Sequence, residues 1–389
     1  MSIKKICITM MALSLSALML FGCGAQTTAK TSASANTAAK TTTAAATTTT
    51  ASTSESTAAA STSKTTTSGS TNADVPAAAD TGKVIGLVQI DLTNPFHLGE
   101  VEGAKEAARR NGFKLEVTSG DGDVTKQVKA FDNLVEKGVD AISVNCIDVT
   151  AFTNSFAKAK EKGIPVVVLH SKAEGTACTV GFDEYALSKE VGEYAVKLLK
   201  AKNGSAKGQV ALLAGMLGQD LNAGRTGGFL DVMKQYPDIK VVATEPTDWD
   251  GTKATTIMEN YLTTYPDLDL IYGLSDSVTY PAANVIMNAG KRDQILITSV
   301  DGSDYALEAI KKGEMDSSYL LASQYTGYQK AYIPFLAAKG EKLDSEYIIS
   351  GVIVTKDNVD AIIKLSDDMK NNIKSFPFDE KLPDIIKNY

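Results

Sequence analysis

The sequence predicts an α/β protein whose ordered part forms two similar lobes, each a parallel sheet covered by helices on both faces. Three observations lead there. Apolar runs such as Val84, Ile85, Leu87, Val88 and Ile90 are nearly continuous, as strands buried on both faces require. Strand-like and helix-like stretches alternate with short connections, the rhythm of βαβ units. The alternation runs in two successive series, and no short period marks a solenoid.

The chain begins with Lys4 and Lys5 and an apolar stretch from Ile6 to Phe21, the layout of a secretory signal over residues 1–22. Its end, Leu20-Phe21-Gly22-Cys23, resembles the lipobox of bacterial lipoproteins, which implies acylation of Cys23 and attachment to the outer face of the cytoplasmic membrane. Buried acyl methylenes contribute about 0.8 kcal/mol each to such an anchor. An ordinary signal followed by a chance cysteine is the weaker alternative. Residues 23–82 are almost entirely Thr, Ala and Ser, with Val75 as the one large aliphatic side chain, and cannot bury a core. They read as a disordered tether.

Strands are expected at Val84–Ile90, Phe113–Thr118, Ala141–Asn145, Pro165–His170 and Thr176–Gly181, with helices between the first four ended by Gly112, Gly138 and Gly163. A helix from Tyr185 to Lys200 opens the second series, with strands at Gln209–Ala214, Lys240–Thr244, Asp269–Tyr272 and Ile295–Val300. Residues 357–389 continue as an amphipathic helix, Asp357–Ile373, then Ser375-Phe376-Pro377-Phe378 and Leu382–Tyr389, expected to pack along one lobe.

With 389 residues the chain is long enough for two sizeable cores. Its formal net charge is -7, and removing Lys4 and Lys5 with the signal makes it more acidic still. That balance argues against nucleic acid, which needs a basic patch. Cys7 leaves with the signal, so Cys146 and Cys178 alone remain in the folded part. Both lie in or at the end of apparent strands, which favours two free, mostly buried thiols over a disulfide. No His/Cys cluster has metal-ligand spacing, and no cofactor is expected.

The landmarks Asn94-Pro95-Phe96, Gly163-Ile164-Pro165-Val166-Val167, Gly181-Phe182-Asp183, Arg225-Thr226-Gly227-Gly228-Phe229, Asp248-Trp249-Asp250, Ser275-Asp276 and Val300-Asp301-Gly302 occur in one order. In these the stretch from Lys83 to about Lys356 resembles the ribose- and galactose-type sugar-binding proteins of ABC importers. The resemblance implies two Rossmann-like lobes joined by a three-strand hinge, closing on a ligand. The crossovers fall near Asp183–Tyr185, Leu321–Ser323 and Ile349–Gly351, so the lobes are 83–184 plus 322–350 and 185–321 plus 351–356. It implies a monomer that hands a sugar to a permease. A surface sensor presenting a sugar, nucleoside or furanone-type signal to a membrane kinase or chemoreceptor would use the same lobe pair.

A sugar site needs bidentate polar side chains and aromatic platforms in a cleft that excludes water. Phe96, His97 and Trp249, the single tryptophan, are candidate platforms, although Phe96 reads equally well as packing. The loop Asp91–His97, with Asn94, follows the first strand, where open α/β sheets bind ligands. Arg225 matches an arginine that binds sugar in the family, and its planar fork suits two oxygens. Asp301 and Asp276 follow strand ends; Asp276 reads equally as a helix cap. Ser275 stands where the family commonly has asparagine. Gln324 is near a familiar glutamine position, whose strict match is Leu321.

His170-Ser171 replaces the Asp-Arg or Asp-Ser pair of many relatives, removing a carboxylate that would hold a hydroxyl. The chain's only histidines, His97 and His170, are therefore both placed at the cleft, where an unperturbed imidazole charges below about pH 6.5. Hydrolase, zinc-protease, kinase and nucleotide-loop signatures are missing, which argues for a binding protein rather than an enzyme.

Overall fold

The computed structural model describes residues 74–389. The expected signal, the acylated Cys23 and most of the tether lie outside the described residues.

The first lobe builds β1 (Val84–Gln89), α1 (Pro95–Asn111), β2 (Lys114–Ser119), α2 (Val124–Lys137), β3 (Ala141–Val144), α3 (Thr153–Glu161), β4 (Val166–Leu169) and β5 (Cys178–Gly181). The chain then crosses to α4 (Glu184–Asn203), β6 (Gly208–Ala214), α5 (Asp220–Met233), β7 (Ile239–Pro246), α6 (Gly251–Thr264), β8 (Leu268–Gly273), α7 (Asp276–Asn288), β9 (Leu296–Asp301), α8 (Asp304–Lys312) and β10 (Ser317–Leu320). It returns through α9 (Ser323–Ala338) and β11 (Glu346–Ile348), crosses again to β12 (Val352–Val354), and ends in α10 (Val359–Asn371) and α11 (Leu382–Ile386).

Two six-stranded sheets result, ordered β11-β5-β4-β3-β1-β2 and β12-β10-β9-β8-β6-β7. Every pairing is parallel except β10 with β12. The first nine strands are those expected from the sequence; seven have centres buried on both faces, while the edge strands β2 and β7 are only partly buried. β10, β11 and β12 were not expected as strands. β11 and β12 have three residues each and β11 is largely exposed, while β10, Ser317-Ser318-Tyr319-Leu320, is buried but half serine, so no apolar run marks them.

In each sheet the strand order reverses at one place, between β1 and β3 and between β6 and β8. Loops leaving the carboxyl ends of these strands border a crevice there. One of them leads into α1, whose start is set locally. Asn94 Oδ1 accepts the Phe96 amide at 2.9 Å, and Pro95 occupies the first helical position, where its missing N–H costs nothing. α1 lies tightly against α9 because both carry glycine at the contact. A Cβ on Gly103 would stand 1.8 Å from the Gln324 carbonyl oxygen, and one on Gly327 1.9 Å from that of Glu100.

Two expectations are corrected. The extension does not keep to one lobe: α10 packs on α8 of the second lobe, whereas Phe378 stacks on Tyr325 and Tyr328 of α9 of the first. The end of the segment read as tether is also engaged, since Val75, Ala78 and Thr81 donate backbone hydrogen bonds to Lys374, Arg109 and Gly112.

Candidate functional site

A cavity of about 80 Å³ lies where the two sets of strand ends face each other. Asn94, Phe96, His97, His170, Ser171, Arg225, Trp249, Ser275 and Asp301 line it. So do Asp91, Asn145, Cys146, Gln219 and Asp220, none of which was singled out from sequence as a ligand residue.

One side of the first-lobe wall is built from a single loop, with Asn145, Cys146, His170 and Ser171 at the ends of β3 and β4 completing it. Asp91 Oδ1 accepts the Thr93 and Asn94 amides, each at 2.8 Å, forming an Asx turn that aims the chain into α1. Its Oδ2 lies 3.1 Å from His97 Nδ1. Burial alone would raise the Asp91 pKa, but His97 and the Asn94 and Thr93 amides outweigh it and hold the carboxyl well below its usual range. The Asx pattern was the signal for Asp91, an acid two and three residues before Thr93 and Asn94. Phe96 meets the His97 ring edge-on, with centroids 6.3 Å apart.

The second-lobe wall is built from residues far apart in the chain. Arg225, on the buried side of α5, donates from Nε to Glu184 Oε2 at 2.6 Å and from Nη1 to the Leu274 carbonyl at 2.6 Å. Its Nη1 also stands 3.6 Å from Asp301 Oδ1. Glu184 Oε1 lies 2.9 Å from His170 Nδ1, so one carboxylate sits between a first-lobe imidazole and a second-lobe guanidinium. Burial pushes the Glu184 pKa up, but Arg225 and then His170 bring it down to about 2. Glu184 was missed because nothing in Asp183-Glu184-Tyr185 distinguishes it from a helix-starting acid. It supplies, from another element, a carboxylate beside the position where His170-Ser171 lacks one.

Asp301 has φ 124°, and its Oδ2 accepts the Ser275 hydroxyl at 2.6 Å and the Asp276 amide at 3.1 Å. Trp249 also has positive φ, 62°, following Asp248 at 54°. These dihedrals turn the indole over Gly215, where a Cβ would meet the ring at 2.0 Å. Trp249 Nε1 donates to Gln219 Oε1 at 2.7 Å, which fixes the plane of the ring.

Two expected site residues do not reach the cavity. Asp276 is fully buried behind it, accepting from the Ser318 hydroxyl at 2.8 Å and the Ser303 amide at 2.7 Å. It is not the cap of its own helix either, since Ser275 holds that position. Burial and the neighbouring Asp301 charge raise its pKa. Gln324 faces an adjoining groove, with Oε1 accepting from Ser323 at 3.1 Å, because the α1–α9 glycine contact turns this helix face toward α1. Leu321, the strict family match, does line the cavity. Cys146 and Cys178 are both free thiols. Burial pushes the Cys178 pKa up to about 11.

Two α/β lobes of one topology, meeting at a buried polar cleft, define the class of two-lobed α/β ligand-binding proteins. The chain belongs to the family described as "Periplasmic binding protein domain", which matches residues 85–342. Its relatives include the xylitol-binding protein of Mycolicibacterium smegmatis, 29% identical over 75% of this chain and 82% of that protein. The ribose import binding protein of Salmonella typhimurium is 27% identical over 73% of this chain and 95% of its own. Among solved structures, an ABC transporter periplasmic solute binding protein from Actinobacillus succinogenes with bound D-allose superposes with a TM-score of 0.67. It is 27% identical and covers 72% of this chain and 99% of its own. These relatives are binding proteins, and this chain is a binding protein and not an enzyme.

Proposed function

We propose that this protein captures a small sugar or sugar-like polyol between its lobes and delivers it to the permease of an ABC transporter. The observation that carries the reading is the convergence of Asp91, Phe96 and His97 from one lobe with Arg225, Trp249 and Asp301 from the other on a single cleft. Carboxylates and a guanidinium edge are suited to vicinal hydroxyls, and aromatic faces to C–H surfaces. Asn94, His170, Ser171 and Ser275 are the remaining polar contacts in this reading, with Asp276 acting through Asp301 and Gln324 outside the first layer. The xylitol-binding, ribose import binding and D-allose-bound relatives support this ligand class and favour import over sensing.

Export and acylation at Cys23 complete the proposal. The ligand then loads outside the membrane on a domain tethered by residues 23–82. Ligand entry draws the lobes together about their crossovers, and the closed outer surface is what the permease reads.

Thermal-shift and calorimetric titration of the purified protein against pentoses, pentitols, hexoses and cyclitols tests the ligand class. At a hundredfold its dissociation constant, a true ligand adds about 2.7 kcal/mol of stability. A panel without any binder at millimolar concentration overturns the reading. Labelled fatty acid should enter the full chain in cells and fail to enter Cys23→Ala.

A further inference from the structure

Residues 359–389 lie outside the matched family segment, which ends at residue 342. Their contacts divide between the lobes. On the second lobe, α10 buries Val359, Ile362, Leu365 and Met369. Ser366 Oγ donates to Asp304 Oδ1 at 3.0 Å, and Lys370 pairs with the same carboxylate. Asp304 opens α8, three residues beyond Asp301 of the cleft.

On the first lobe the attachment centres on Arg110 of α1, whose guanidinium is buried. Its Nη2 lies 2.9, 3.1 and 2.8 Å from the carbonyl oxygens of Ile373, Lys374 and Phe376. Glu106 holds its Nε at 2.7 Å. The guanidinium stands 5.1 Å from the Phe378 ring centroid, and Phe378 stacks on Tyr328 of α9 at 4.6 Å and 4°. Gln329 and Tyr325 of α9 then hold the Phe378 and Glu380 carbonyls at 3.0 and 2.8 Å. Tyr389 closes the unit by donating to Asp368 of α10 at 2.8 Å.

We propose that residues 359–389 are a fourth connection between the lobes, a strap that limits how far they open, with Arg110 as its positioning residue. Lys370 is held by one lobe and Ile373 by the other, and three residues of fully extended chain span only about 10 Å. Wide separation at this edge therefore needs the strap to let go of one lobe. Both of its attachments bury apolar side chains, so release is costly. The strap thereby enriches the unliganded population in arrangements near the closed one. A receptor whose competent state is more populated binds with an apparent dissociation constant closer to the intrinsic one.

The test measures opening without any ligand. Spin labels at Leu92→Cys and Leu217→Cys, both exposed and in loops adjoining the cleft residues of opposite lobes, report the interlobe distance in a Cys146→Ser background. Six Gly/Ser residues inserted between Asn372 and Ile373 add roughly 20 Å of reach while leaving both attachments in place. The expected result is a broader distribution shifted to longer distances, with Arg110→Ala shifting the same way. Circular dichroism checks that each variant is folded. An insertion variant with the parental distribution overturns the strap, whatever Arg110→Ala does. With D-ribose as the probe, the insertion should also weaken binding several-fold. That last clause rests on the proposed ligand class. A parent that ignores D-ribose counts against the class, while the distances still decide the strap.

Discussion

The two walls of the cleft present similar groups, a carboxylate with a histidine on one side and a carboxylate with an arginine on the other, yet they are assembled differently. On the first-lobe wall Asp91 meets Thr93, Asn94 and His97 within six positions of itself. On the second-lobe wall Arg225 meets Glu184 and Leu274 across separations of 41 and 49 residues, and Asp301 meets Ser275 across 26. A local turn can form before the lobes are in place. A long-range network exists only when α4, α5, β8 and β9 have all docked, so its groups are both more buried and more interdependent. Disturbing the second wall should therefore unsettle the fold, and disturbing the first should mainly unsettle the site.

The sharpest way to break this comparison is Glu184→Ala. It leaves Arg225 and His170 buried without their shared carboxylate, and removing one partner of a buried pair costs about 3–5 kcal/mol. Urea denaturation should show a loss of that order. A loss no larger than for a surface acid would mean the network contributes little.

Asp91→Ala is the matched change on the other wall. It removes a half-exposed turn and one histidine contact, for which about 1–2 kcal/mol is expected. A cost equal to that of Glu184→Ala would erase the distinction between the walls.

Acid titration separates two buried carboxylates of the second lobe by sign. The folded pKa of Glu184, about 2, lies below its ordinary 4.5, so its contribution is present above pH 4.5 and is lost as pH falls toward 2. Asp276 moves the other way: its raised pKa means the folded state holds the proton more tightly, so its cost grows as pH rises above its ordinary 3.8. Glu184→Gln should flatten the acid limb of a stability-against-pH curve. A limb identical to the parent's would remove Glu184 as its source.

Smaller effects belong to single contacts. Gly215→Ala places a methyl where the Trp249 ring lies and should weaken ligand binding about fivefold, in line with about 1 kcal/mol for a displaced aromatic contact. Because Trp249 is the only tryptophan, its fluorescence reports that displacement directly. Asn94→Ala should cost only about 1 kcal/mol, the usual worth of a helix cap. Thermal melting of the two variants should rank them by stability, and fluorescence titration by binding.

Local chemistry made much of the molecule legible. Apolar runs located the central strands because a strand buried on both faces must be apolar along its whole length, and the edge strands β2 and β7 followed from the alternation with helices; Gly112, Gly138 and Gly163 adopt the left-handed conformation that ends the helices before them. β10 to β12 left no comparable trace, since their pairing depends on the sheet edge they join. The family landmarks pointed Phe96, Arg225, Trp249 and Asp301 to one cleft and the wider resemblance added His97 and His170, although residue pattern alone could not rank Asp276 or Gln324.

The sequence by itself determined the α/β rhythm, the two lobes and the Asp91–His97 turn, because each follows from the preferences of residues close together along the chain. Only the tertiary structure decided that Glu184 joins His170 to Arg225, that Asp276 lies behind the cleft, and that the final residues touch both lobes. Those outcomes depend on which distant surfaces meet. A buried charge takes whichever partner the packed lobes bring within reach, and no neighbour in the chain announces which one that will be.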